Sequence, residues 1–201
     1  MTKVFLNGIP DHRFAQDDST GAMVAITMSH HEIHEGCSFS CHYTQTVSDI
    51  GDKSIIAFRT GNTTKIAHII MTVACSGGAD AYILEAPTVT NDTGATLTVF
   101  NRYRASTTKS TIYDTSPATD LLGSATYFTE VTMGNVTGGT QIEYIPIIAG
   151  SGPKPVGGLA RGSEEWMLKV NTQYAFVVNS LTNDDNIMWM QLDWYEQTRL
   201  K

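Results

Sequence analysis

The sequence predicts an all-β protein, an antiparallel two-sheet β-sandwich that is jelly-roll-like with an extended N-terminal arm, and three observations carry that prediction. About ten short apolar segments recur between Gly, Asn, Asp and Pro turn signals, at the spacing of sandwiches and barrels. Charged residues make up only 16% of the chain, against the usual quarter; threonine, serine, asparagine and glycine take their place, as suits strands and tight turns. No stretch sustains a helical period. At 201 residues a single sandwich domain is the natural unit.

Residues 1–21 read as an arm, because Gly8, Pro10, Asp11, Asp17 and Asp18 separate a few apolar anchors, Val4, Phe5, Leu6, Ile9 and Phe14. Such a segment frays or is tied down by a partner, so these five side chains are the candidate partner contacts. Residues 22–201 form the single β-sandwich domain. Its first strand is expected over Ala22 to Met28, where Ala22, Val24, Ile26 and Met28 alternate.

The stretch from Met28 to Val47, MSHHEIHEGCSFSCHYTQTV, holds four of the six histidines and two of the three cysteines. It invites a metal reading. A strand beginning at Gly36, however, puts Cys37, Phe39, Cys41 and Tyr43 on one face and His42 on the other. A tetrahedral site needs its ligand atoms converging within about 2.0–2.3 Å of one point, which that parity denies. The metalloprotease pattern needs histidines at i and i+4 with a glutamate after the first, and His31-Glu32-Ile33-His34 closes one residue too soon. The cupin pattern is not supplied either. His31, His34, Glu35 and Gly36 are therefore read as a structural turn, with no metal and no cofactor.

Further strands are expected over Ser54 to Thr60, Lys65 to Cys75, Ala79 to Val89 and Thr96 to Arg102, the last two as a hairpin that sets Asn101 to Arg104 beside Glu85. His68 interrupts the apolar face of its strand, and a hydrogen bond is expected to satisfy it. Lys109 to Asp114, Ala125 to Met133 and Gln141 to Ile148 continue the rhythm. Residues 149–158 are rich in Gly and Pro; Lys154 between two prolines is no Walker lysine, so this is a loop. At the end, Tyr174, Phe176 and Val178 share a face, as do Met188, Met190, Leu192 and Trp194, and the two strands read as a pair about the Asn183-Asp184-Asp185-Asn186 turn.

A nucleophile needs a base within reach, yet no Gly-x-Ser-x-Gly elbow appears, and nothing selects a pair among the carboxylates Asp80, Glu85, Glu130 and Glu143. The sequence is read as a non-enzyme with no catalytic residues. A net charge of -7 opposes wrapping nucleic acid, whose phosphates demand clustered cations. No apolar run reaches the roughly 18 residues of a membrane helix. Three cysteines and no leader pattern predict cytosolic folding without disulfides. The Asn-x-Thr triplets at Asn62, Asn91 and Asn135 are then inert.

His31-Glu32-Ile33-His34-Glu35-Gly36, the strand after it, the His68 strand, Glu85, Gly94 and Asn101-Arg102 are similar in order and spacing to a pattern in head proteins of tailed bacteriophages. Over Ser29 to Ser106 the chain resembles the capsid decoration, or cement, proteins. The resemblance implies a structural virion protein on the outer surface of the capsid, folded in the host bacterial cytoplasm, that trimerises and stabilises contacts between copies of the major capsid protein. Its implied partners are that protein and itself. Two alternatives stand beside it: a head fibre or receptor module holding glycans on Trp166, Trp189, Trp194 or tyrosines, and a cupin-like metalloenzyme.

Overall fold

The computed structural model describes residues 28–61, 64–89, 97–110, 112, 128–129, 136–148, 159–161 and 165–198. The arm contacts Val4, Phe5, Leu6, Ile9 and Phe14, the expected strand before Met28, and Glu130 lie outside the described residues.

The described residues begin with a short helix, α1 (Met28–His34), where a strand end and a turn were expected. Seven residues complete only two turns, too few for a period to be visible in the sequence. Its end is built by Gly36. The Cys37 amide donates to the Glu32 carbonyl at 2.9 Å and the Gly36 amide to the Ile33 carbonyl at 3.0 Å, with Gly36 at φ 73°. This is the paired-bond helix stop that needs a left-handed residue.

The long strands are β1 (Ser38–Val47), β2 (Lys53–Arg59), β3 (Lys65–Cys75) and β4 (Ala79–Glu85). Short pieces follow: β5 (Thr88–Val89), β6 (Phe100–Asn101), β7 (Phe128–Thr129) and β8 (Val136–Thr137). The chain continues with β9 (Thr140–Ile147), β10 (Leu159–Arg161), β11 (Trp166–Met167), β12 (Gln173–Ser180) and β13 (Asn186–Thr198). One sheet runs β10-β3-β13-β1-β6, with β11 also on β3; the other runs β7-β2-β12-β4-β9. All pairings are antiparallel. Within them lie two four-stranded cores, β1-β13-β3-β10 and β2-β12-β4-β9, which is the strand order of a jelly roll.

The core lies between the two sheets and is written by alternation. Phe39 and Cys41, then Ala67, Ile69, Met71, Val73 and Cys75, then Met188, Met190, Leu192 and Trp194 point inward from the first sheet. Ile56, Phe58, Ala81, Ile83, Tyr174, Phe176 and Val178 meet them from the second. The second sheet is apolar on its outer face too. Ile55, Ala57, Ala175 and Val177 pack there against Val89 and Val136, which the small β5-β8 pair lays over them.

Two expected pairings differ. β4 pairs with β12 and β9, while β6 pairs with β1 in the other sheet, so the hairpin of 79–89 with 96–102 does not form and Arg102 is not beside Glu85. Glu85 instead meets Lys169 Nζ at 2.7 Å. Likewise β12 and β13 belong to opposite sheets, and their loop crosses the sandwich instead of closing a hairpin. Both strands carry one buried face, and that face is satisfied equally by a partner beside it or across the core. Pro146 is accommodated because β9 is an edge strand, where a missing donor breaks no ladder.

Candidate functional site

The outer face of the first sheet carries a cleft of about 510 Å³. Alternation turns His68, Ile70 and Thr72 of β3 outward, and Asp193 and Tyr195 of β13 beside them. Tyr195 is the register partner of His68, and their rings stack with centroids 4.6 Å apart at 12°. β11 pairs with β3, Met167 opposite His68, and so delivers Glu165 to the same place. Glu165 Oε1 lies 2.7 Å from His68 Nδ1 and accepts the Tyr195 hydroxyl at 2.7 Å.

One carboxylate therefore orients two rings. With Nδ1 donating to Glu165, a neutral His68 presents Nε2 as an acceptor. The Tyr195 phenol is held well above its ordinary range, first by burial, then by the hydrogen bond to Glu165 and by the charges of Glu165 and Glu32. His30 and Ile33 of α1 and Arg102 after β6 complete the walls. Arg102 is placed by its amide, which donates to the Ser38 carbonyl at 2.8 Å. Asp193 takes the Gln191 amide at 2.7 Å. The arrangement offers a cation, an oriented imidazole and two carboxylates to a polar ligand. Of the hydroxyls in the wall, Ser38 Oγ is directed to the Trp194 carbonyl at 3.4 Å.

The histidine stretch resolves into separate roles. On α1 the His30 and His34 rings stack, centroids 4.8 Å apart, with their Nε2 atoms 2.9 Å apart. His31 turns the other way, 3.5 Å from Glu32 and 3.9 Å from Glu35. Glu32 is buried and accepts from Gln197 at 3.2 Å, fastening α1 to β13. Cys37 and Cys41 are free thiols; Cys41 lies on the inward face of β1 as expected, whereas Cys37 precedes the strand, is only half-buried, and has its Sγ 3.8 Å from Lys65 Nζ. Cys41 is fully buried, and burial, aided by Asp193, pushes its thiol up to about 12. His42 points out and stacks on Phe100 at 6.0 Å. Among the described residues no three His, Cys, Asp or Glu side chains gather as a metal site.

The other carboxylates weighed from the sequence are scattered. Glu143 accepts Trp166 Nε1 at 2.9 Å, and Asp80 takes the Tyr144 hydroxyl at 3.5 Å. Glu85 is held below the usual carboxylate range, chiefly by its hydrogen bond from Lys169. The tryptophans do not make an exposed platform: Trp194 is in the core, Trp166 packs against it, and Trp189 is half-buried. Sequence reasoning placed His68 and its hydrogen bond, singled out Arg102 but set it beside Glu85 instead of in this cleft, and missed Glu165 and Tyr195. For Tyr195 the outward parity opposite Trp194 was a usable signal; Glu165 reaches the site only through the pairing of β11. Compared with known proteins, the sequence matches no family model and no curated protein.

Proposed function

We propose that this chain is a structural virion protein, a capsid decoration protein that binds the outer surface of a tailed-phage head as a homotrimer and stabilises contacts between major capsid proteins. Beyond the sequence resemblance, one observation supports the reading. Ile50, Ile148, Leu181 and Ile187 are all exposed, and they gather at a single end of the sandwich. The Ile50 amide donates to Asn183 Oδ1 at 3.2 Å, the Leu181 amide to the Gly78 carbonyl at 2.9 Å, and the Ser76 amide to the Ile187 carbonyl at 3.0 Å. Ile148 follows Ile147, the partner of Ala79. Exposed aliphatic groups gathered in one place mark protein-binding surfaces. A rigid scaffold with such an end suits a protein that staples a shell, and repeated copies multiply weak contacts.

The test is co-sedimentation of the purified chain with phage heads stripped of decoration protein, together with its mass by light scattering. The expected result is a trimer that pellets with the heads, weakened at least tenfold by Leu181→Asp with Ile187→Asp and weakened also by deletion of Met1 to Asp18. A protein that stays in the supernatant overturns the reading.

The cleft favours a second reading, a head-fibre or receptor module that holds a polar host ligand such as a glycan. It predicts binding of the free protein to host cells, abolished by Arg102→Ala, which a decoration protein should lack.

A further inference from the structure

We propose that His30 and His34 form a bidentate site for a divalent transition-metal ion on the exposed face of α1. The two residues are one helical turn apart, the spacing that stacks side chains on one face. Their Nε2 atoms stand 2.9 Å apart in an imidazole–imidazole hydrogen bond; on binding, two nitrogen–metal bonds replace it and the donor ring carries its proton on Nδ1 instead. Two imidazole nitrogens bound to one ion at about 2.0–2.1 Å, at a right angle, stand about 2.9 Å from each other. The pair thus has the bite of two neighbouring positions of an octahedral or square-planar ion, which suits Ni²⁺ or Cu²⁺ better than the wider angle of a tetrahedral centre. Imidazole is a ligand class these ions prefer. Both histidines are exposed, so water can fill the remaining positions and the ion can exchange.

His31 takes no part, since its ring faces Glu32 and Glu35. The ion clips residues 30 and 34 of a seven-residue helix that is too short to stand without tertiary support. Binding to the folded helix alone shifts its equilibrium toward order. His30 also lines the outer-face cleft, so the bound ion sits on the rim and fixes that wall.

Isothermal titration of the full chain with NiCl₂ tests the proposal, with His34→Ala, His30→Ala and His31→Ala run alongside. One equivalent of Ni²⁺ is expected to bind the unaltered protein. Affinity should fall at least tenfold in each of the His30 and His34 variants and stay within about twofold in His31→Ala. Circular dichroism confirms that each variant keeps its strand signal. Equal binding by His34→Ala, equal loss in His31→Ala, or no binding by the unaltered chain overturns the assignment.

Discussion

Ser110 donates its hydroxyl to a carboxylate oxygen of Glu196, and this pair closes one end of the core. Glu196 is the last inward residue of β13 and is 2% exposed. The same oxygen takes Trp194 Nε1 at 3.2 Å and the Ile112 amide at 3.4 Å. A buried carboxylate persists only with such donors around it. It binds residues 97–110 and Ile112, with Leu97, Val99 and Ile112 against the core, to the end of the central strand.

Ser110→Ala removes a donor without altering the strand. Leaving a buried acceptor short of a partner costs about 1–3 kcal/mol. Urea unfolding should report that loss, and hydrogen exchange should rise in residues 97–110 before β13. A stability change below about 0.5 kcal/mol would mean that the other donors suffice.

Gly36→Ala should destabilise the chain for two separable reasons. A Cβ there meets Ser106 Oγ at 2.6 Å and Ser106 Cβ at 3.0 Å, and the left-handed φ of 73° costs an L-residue about 1–2 kcal/mol. Combining it with Ser106→Gly should recover the steric part only. Full recovery in thermal unfolding would assign the whole cost to the clash.

Alkaline stability should fall in a defined window. The Cys41 thiol is raised from 9.0 to about 12 and the Cys75 thiol from 9.0 to about 11, both by burial. Groups that hold their proton more tightly when folded stabilise fully below the unfolded pKa and lose that contribution as pH rises through the folded one. The melting temperature should therefore hold to about pH 9 and decline toward pH 11–12. Cys41→Ala, less stable at pH 8 because of its cavity, should show a shallower decline, and an unchanged slope would place the titrating group elsewhere.

Glu165→Gln should bring the Tyr195 phenol down toward the ordinary tyrosine range, though not fully, because burial is the larger cause of its elevation. Phenolate absorbance on alkaline titration reads this directly, with Tyr195→Phe identifying the transition. The substitution should leave the fold intact, since Glu165 lies at the surface end of β11. An unmoved titration would mean that the carboxylate does not govern the hydroxyl.

How far the fold is legible in the sequence depends on what alternation encodes. The inward rows from Phe39, Phe176 and Met190 were readable, because a period of two is a direct record of one buried face; β3 is apolar on both faces in sequence, so its inward row from Ile69 was not singled out. Pairing was not. Glu85 and Arg102 were put together because their segments are neighbours in sequence, yet the chain crosses between sheets after β1, β2, β3 and β12. Nothing in a buried row distinguishes the strand alongside from the strand opposite. His68 was legible as a polar interruption that needs a partner; Glu165 was not, because only a two-residue strand, β11, carries it there. The His30–His34 pair was masked by the competing His31–His34 spacing until the helix gave the residues their angles.

The antiparallel register of β1 on β13 sets Ser38 beside Tyr195 and Val47 beside Asn186, so among the described long strands the first starts and the last finishes at the same pole. Tension applied to both chain ends would peel this ladder one rung at a time, a weak mode of resistance. Tension on the leading end against an anchor at the opposite pole, where Ile50 and Leu181 emerge, would load every rung of the ten-residue β1 ladder at once. The β1–β13 ladder resists shear along its length and yields when Ser38 and Tyr195 are pulled apart from their shared pole.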